Sequence, residues 1–184
     1  HWFIPYCKLA LATGMAPSDL NALDWAEVDL RFSGKICKAR EKSKGPAIRR
    51  GRDPAMIEAP LPASAKKMLQ DWHKQQDKPD TGLVFPSPRT LRQMAATAHN
   101  KPWKRVKELG GINPELHFYA LRHHVVSAMV AGGVPLLTVA QLVGHKGADM
   151  IQRHYGHLCP DSAAAAMDVV AATIEKAEAA RAAV

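Results

Sequence analysis

Apolar residues recur every three or four positions along most of the chain, the spacing that places them on one face of a helix. Glycine and proline separate these stretches, as they do where helices stop and start. Helices are therefore predicted over residues 3–13, from residue 17, and over 63–76, 90–109, 118–131, 135–143 and 162–184. A break is expected at Pro102, and Asn113-Pro114-Glu115 is expected to introduce the helix over 118–131.

A different pattern is confined to the region between residues 28 and 59, where short runs containing valine or isoleucine predict strands. The runs cover 28–30, 35–37 and 56–59. Ser33-Gly34 is expected to turn the first pair, and residues 45–54 are predicted to form a long loop before the third. The predicted fold class is therefore mainly α with a small antiparallel β-sheet (α+β).

The composition is that of one globular domain, with 184 residues, 47% of them hydrophobic and 23% charged. Polar residues and glycines interrupt the longest apolar stretch, so no segment approaches the roughly 20 residues needed to cross a bilayer. Three widely spaced cysteines do not suggest a disulfide framework and fit a reducing cytoplasm. The first residues lack the basic region of a secretion signal and are expected to be the edge of an excised domain.

The positive charge is concentrated in one segment of the chain. There are 25 Lys and Arg against 17 Asp and Glu, a net charge of +8. Nine basic residues and one acid, Glu41, lie between Arg31 and Arg52, so this segment accounts for the whole excess. It is predicted to lie on the small β-meander. Such a cluster favours a polyanionic partner, above all nucleic acid, although a solvated basic loop would give the same charge pattern.

The second half of the chain concentrates His, Arg and Tyr beside apolar helices, in the segments 119–124, 142–145 and 153–158. Arg122 can bond two phosphate oxygens at once with its forked guanidinium. His145 can donate a hydrogen bond or relay a proton, and the Tyr155 hydroxyl can attack phosphorus. These three residue types together suit chemistry on a phosphodiester.

The order and spacing of these segments resemble the catalytic domain of the tyrosine recombinase (phage integrase) family. That family has a Thr-Gly-x-Arg-x-x-Glu/Asp-Leu motif, a lysine on a β-hairpin, then His-x-x-Arg, Leu-Gly-His and a tyrosine followed by x-His. This chain has Thr-Gly-Met-Ala-Pro-Ser-Asp-Leu over 13–20, Tyr-Ala-Leu-Arg over 119–122, Leu-Val-Gly-His over 142–145 and Tyr-Gly-His over 155–157. The resemblance spans residues 9–160, and four blocks in the right order are a specific signal.

The resemblance implies a role for each matching residue. Tyr155 would attack the scissile phosphate, expel a 5′-hydroxyl and form a 3′-phosphotyrosyl link. Arg122 would be the second of two phosphate-clamping arginines, and His145 would bond a non-bridging oxygen or assist proton transfer. Lys42, with Lys44 as the alternative, would protonate the leaving oxygen. The resemblance implies no metal and no other cofactor, because cationic side chains neutralise the phosphorane.

Three positions depart from the family pattern. Tyr119 stands where the family has the histidine of His-x-x-Arg, a change that still allows a hydrogen bond to phosphate. The ten-residue step from His145 to Tyr155 is one longer than the commonest spacing. Ala16 stands where the first catalytic arginine belongs, and neither neighbour carries a charge. Losing one preorganised donor costs about 10²–10³ in rate, so low activity is expected, whether the change is engineered or natural.

The resemblance also implies partners and an organisation. The expected partner is double-stranded DNA, with Lys44, Arg49 and Arg50 as DNA-binding residues. The full-length protein is expected to form a dimer on its site and a tetramer in synapsis, away from membranes, in a bacterial cytoplasm at the nucleoid. Residues 1–160 would form the catalytic domain and 161–184 an Ala-rich helix.

This helix carries a stripe of apolar residues that is expected to dock on a partner or on its own chain, and the sequence leaves both open. The stripe consists of Met167, Val170, Ile174 and Ala177.

Three alternatives share some of these features. A type IB topoisomerase would use the same chemistry to relax supercoils, and a non-catalytic DNA-binding protein of the same fold would explain Ala16. A metal-dependent hydrolase would need zinc on His154, His157 and Cys159 with His145 as a fourth ligand. That spacing matches no closed zinc site well.

Overall fold

The computed structural model of the chain describes residues 1–160 and 163–182. In chain order the elements are α1 (Phe3–Thr13), α2 (Pro17–Asn21), β1 (Val28–Asp29), β2 (Lys35–Ala39), α3 (Glu41–Arg49), β3 (Met56–Pro60), α4 (Ala63–Gln75), α5 (Asn100–Gly110), α6 (Ala120–Ala131), α7 (Leu136–Leu142), α8 (Asp149–Tyr155) and α9 (Ala163–Ala182). Short 3₁₀ turns cover Trp25–Glu27 and Gly156–Leu158. The predicted class, mainly helical with a small antiparallel sheet, is confirmed.

Single residues set several helix boundaries at the predicted positions. α1 stops at Gly14, whose φ of 65° lies in the left-handed region that glycine tolerates. α2 starts with Pro17 in its first turn, and α7 follows Pro135. These boundaries depend on single residues, which is why the sequence alone identified them.

The sheet has the order β1-β2-β3, with both pairs antiparallel. Ile36 pairs with Val28 on one side and Ala59 on the other. Alternation along β2 turns Ile36 and Lys38 inward and leaves Lys35 exposed. The buried Lys38 ammonium is compensated by a salt bridge of 2.9 Å to Glu27.

The predicted loop over 45–54 is wrong in its first half, because α3 runs through Gly45 and Pro46 to Arg49. Contacts from distant residues hold this helix. The Glu41 N–H donates to the Asp19 carboxylate at 2.7 Å, which caps the helix from outside its own sequence. The basic segment, predicted to lie on the small β-meander, is therefore divided: of its nine basic residues, two lie on β2, three on the helix inserted between β2 and β3, and four outside both elements.

Two further boundaries differ from the prediction. The helix predicted over 90–109 begins only at Asn100, and Pro102 lies in its first turn, where a missing N–H leaves no bond unmade. Residues 113–119 form turns before α6, because the Asn113 side chain accepts the Glu115 N–H at 2.9 Å and closes a turn.

The core consists of two apolar clusters. The larger one packs α1, the sheet and α4 together, with Phe85, Trp103 and Phe118 at its centre. The smaller one joins the second half of α6 to α7 and α8 through residues such as Val126 and Ile151. We call the boundary between these two clusters the seam.

α9 extends over Ala163–Ala182, within the predicted range of 162–184, whose remaining ends lie outside the described residues. Met167, Val170 and Ile174 are each about half exposed or more, and the Ala177 side chain is not among those described. What covers this stripe stays a prediction. No helix within residues 1–160 and 163–182 is long and apolar enough to cross a membrane.

Candidate active site

Arg122 lies in the first turn of α6 and bridges the seam. Its side chain is buried, and its two terminal nitrogens donate to the Gly14 and Val143 carbonyls, each at 2.7 Å. Burial lowers the pKa of the guanidinium, which nevertheless stays charged at neutral pH. A fixed positive charge therefore lies where the end of α1 meets the end of α7.

His145 is placed against this charge by a tight turn at Gly144. Gly144 has a φ of 71°, and a Cβ there would lie 2.7 Å from Ile57, so only glycine fits. The turn puts the His145 Nε2 3.3 Å from an Arg122 nitrogen. Because arginine only donates, Nε2 of a neutral His145 accepts and the ring proton lies on Nδ1.

The electrostatic environment keeps His145 neutral. Burial, together with the positive charges of Arg40, Arg122 and Lys42, lowers its pKa to about 4. At neutral pH the imidazole is uncharged, and an arriving phosphate would favour its protonation. His145 is therefore equipped to donate to, or exchange a proton with, a bound anion.

Tyr155 ends α8 and is half-buried, with its hydroxyl in hydrogen-bond contact with Nδ1 of His123. Burial and the neighbouring Tyr119 raise the pKa of Tyr155, while the Arg122 charge lowers it. A phenol with a raised pKa is a poor nucleophile unless a base takes its proton. His123, on α6 directly after Arg122, occupies the position of such a base.

Tyr119 precedes α6 and lies beside the same group. Its ring centroid is 5.2 Å from that of His123, in an edge-to-face arrangement. The structure therefore brings together Tyr119, Arg122, His145 and Tyr155, four of the residues that the sequence singled out.

The two lysine candidates both lie on α3 but differ in their surroundings. Lys44 is held by Glu41, at 2.5 Å. Lys42 is exposed, and its charge is one of those that lower the pKa of His145. Arg49 and Arg50 lie exposed at the end of α3. The catalytic and DNA-binding roles of these four residues stay predictions.

Ala16 is buried directly before α2, next to an incompletely bonded carboxylate. One oxygen of Asp19 accepts the Glu41 N–H, while Oδ2 is buried without a hydrogen-bond partner among the described residues. Burial raises the pKa of Asp19, although that N–H bond and the charges of Arg40, Arg122 and Lys38 act the other way. A buried acceptor without a donor is costly, and this one lies three residues after Ala16, in the first turn of α2.

Sequence reasoning missed two residues at this site, His123 and Arg40. The signal for His123 was its position four residues after Tyr119, one helical turn along α6. The alternation of β2 could have identified Arg40, because it lies two residues after Lys38 and so continues the inward-facing positions Ile36 and Lys38. Arg40 donates to the Gly144 carbonyl at 3.1 Å, a contact 104 residues apart that the sequence does not encode locally.

The zinc alternative finds no geometric support in the described part of the chain. Within residues 1–160 and 163–182, no three His, Cys, Asp or Glu side chains are grouped closely enough to hold a metal ion. The candidates His154, His157 and Cys159 therefore do not form a ligand set there.

Known proteins resemble this chain in sequence. The chain is 27% identical to the integrase of Salmonella phage P22 over 84% of this chain and 38% of that protein, and 31% identical to an integrase of Streptomyces ambofaciens over 82% and 43%. It thus spans less than half the length of these relatives. The sequence matches the model of the phage integrase family over residues 5–161.

Solved structures share the fold. The XerA recombinase superposes with a TM-score of 0.64 at 21% identity, covering 89% of this chain and 54% of that one. The Tn1549 transposon integrase, solved in complex with transposon right end DNA, gives a TM-score of 0.68 at 18% identity, covering 91% and 58%. Because the family match extends over most of the sequence, the chain belongs to the phage integrase family.

Proposed function

We propose that this chain is the catalytic domain of a site-specific DNA recombinase or integrase, which cleaves and rejoins DNA through a 3′-phosphotyrosyl intermediate. The observation that carries the proposal is the grouping of the Tyr155 hydroxyl, the Arg122 guanidinium and the neutral His145 imidazole along the seam. A nucleophile, a fixed cation and a proton-exchanging group are what phosphoryl transfer to a tyrosine requires.

The cleavage step assigns each group a task. The Tyr155 oxygen forms a bond to phosphorus as its proton passes to His123, and the bond from phosphorus to the 5′-oxygen breaks. Lys42 gives the leaving 5′-oxygen a proton; its freedom from the Glu41 contact that holds Lys44 supports this choice. Arg122 and His145 stabilise the charge of the phosphorane. A 5′-hydroxyl of a second strand reverses the step and rejoins the DNA.

The test is covalent trapping on a nicked DNA duplex. The sequence of this duplex is first selected from a random library by its binding to the Tyr155→Phe variant. Cleavage near the nick releases a short strand, so the DNA–protein adduct accumulates and is counted on a denaturing gel. The unaltered chain is expected to form a small amount of adduct, and the Ala16→Arg variant far more. Tyr155→Phe is expected to abolish it in both, because phenylalanine has no attacking oxygen.

The outcomes separate the alternatives. Salt-sensitive DNA binding without an adduct from any variant would contradict the proposal and favour a non-catalytic DNA-binding protein. An adduct accompanied by relaxation of supercoiled plasmid, without transfer to a second duplex, would favour a type IB topoisomerase.

His123 gives a second prediction for the same reaction. Substituting His123 by alanine is expected to slow adduct formation by about 10²-fold, the lower end of what general bases contribute. His124→Ala is the matched control, because His124 is the adjacent exposed histidine on α6. Equal effects of both substitutions on the cleavage rate would show that His123 takes no proton from Tyr155.

The wider assembly follows from the same proposal. The basic surface of α3, including Lys44, Arg49 and Arg50, would contact the phosphate backbone of double-stranded DNA. The full-length protein would act as a dimer on its site and a tetramer in synapsis, at the nucleoid of a bacterial cell. The exposed stripe of α9 would dock on a neighbouring subunit beyond the catalytic domain of residues 1–160.

A further inference from the structure

Two arginines hold adjacent carbonyls of the turn that carries His145. Arg122 donates to the Val143 carbonyl at 2.7 Å, and Arg40 donates to the next one, Gly144, at 3.1 Å. Arg122 comes from α6, whereas Arg40 comes from the junction of β2 and α3. Their guanidiniums therefore converge on the two peptide groups that precede His145.

Arg40 has donor capacity that no residue in the described part of the chain uses. Its Nε is buried and has no hydrogen-bond partner among the described residues. The Arg40 charge also lowers the pKa of His145, and at Asp19 it opposes the rise in pKa that burial causes. A second guanidinium close to Arg122, with its Nε–H unbonded, destabilises the protein when no anion is bound. A bound anion would accept this N–H and offset the repulsion between the two positive charges.

The family's pattern has two arginines at the phosphate, and this chain has Ala16 in the place of the first. We infer that Arg40 supplies the second guanidinium at the scissile phosphate, entering from the β2–α3 junction. The phosphorane carries two negative charges on its non-bridging oxygens, and Arg122 with a neutral His145 offers one fixed positive charge. Arg40 offers the other. This inference rests on the proposed function, since it concerns the same phosphate.

The competing role for Arg40 is purely structural, namely holding the Gly144 turn and thereby positioning His145. The two roles predict different dependence on residue 16. A phosphate contact becomes partly redundant when an arginine is restored at position 16, whereas a structural support is needed equally in both backgrounds.

The experiment measures adduct formation by Arg40→Gln in the unaltered chain and in the Ala16→Arg variant, on the nicked duplex described above. The expected loss is about 100-fold in the unaltered chain and less than about 10-fold in the Ala16→Arg background. Arg105→Gln, which removes an exposed arginine of α5, is the control and is expected to leave both rates unchanged. Thermal melting of each variant reports whether the fold is kept.

A second readout uses DNA in which a methylphosphonate replaces the scissile phosphate and so removes one negative charge. The loss caused by Arg40→Gln is expected to shrink on this substrate, because less charge needs neutralising. Equal losses in both backgrounds and on both substrates would overturn the inference and leave Arg40 a structural residue. Adduct formation by Ala16→Arg with none by the unaltered chain would also overturn it. No adduct from either would instead overturn the proposed function, and the inference with it.

Discussion

Replacing Ala16 by arginine is expected to raise the rate of covalent DNA cleavage about 10²- to 10³-fold, the range associated with one preorganised donor in an active site. Ala16 is buried three residues before Asp19, whose Oδ2 has no hydrogen-bond partner among the described residues, and Arg122 is held in place by the Gly14 and Val143 carbonyls. An arginine at this position is expected to donate to Asp19 and to add a further fixed positive charge at the site.

The measurement is the single-turnover rate of adduct formation by Ala16→Arg relative to the unaltered chain. Ala26→Arg serves as the control, because it adds the same charge at an exposed position away from the site. Adding Asp19→Asn to Ala16→Arg is expected to reduce the gain, since the guanidinium loses its charged anchor. Equal rates for Ala16→Arg and Ala26→Arg would show that the absent arginine does not limit this protein.

Replacing Arg122 by methionine is expected to abolish detectable cleavage and to destabilise the fold by about 2–5 kcal/mol, because two buried carbonyls lose their donors. These are the carbonyls of Gly14 and Val143, on opposite sides of the seam. Urea denaturation measures the loss of stability, and the trapping assay measures the loss of cleavage.

The Arg122→Lys variant separates the two effects. Lysine keeps the charge but lacks the planar fork that reaches both carbonyls, so intermediate stability and strongly reduced cleavage are expected. Arg153→Gln, which alters an exposed arginine of α8, should leave the midpoint of denaturation unchanged. A stability of Arg122→Met equal to that of the unaltered chain would contradict the role assigned to these buried hydrogen bonds.

The sequence predicted those features that neighbouring residues determine. Gly14 ends α1 and Pro135 precedes α7, because a positive φ and a fixed φ are properties of single residues. α3 was missed, because its own Gly45 and Pro46 disfavour a helix and the Asp19 carboxylate that caps it comes from α2. Local propensity there is overridden by a tertiary contact.

The residues of the candidate site also differ in whether the sequence identifies them. The sequence groups Arg122, His145 and Tyr155 by the chemistry of their side chains and by motifs that resemble those of a known family. Arg40 has no such motif, and its contact with the Gly144 turn depends on how the sheet packs against α7. His123 was passed over as one of two adjacent histidines, since the sequence does not show which of them faces Tyr155.

The division of the core into two apolar clusters also affects how the protein unfolds locally. The smaller cluster, built from part of α6 with α7 and α8, carries both the Gly144 turn and Tyr155, while α1 and the sheet belong to the larger one. Arg122 bonds to both sides. Cooperative units with less buried apolar surface open at a lower free energy than the whole protein. The elements that carry Tyr155 and His145 are therefore expected to open at a lower free energy than α1 and the sheet.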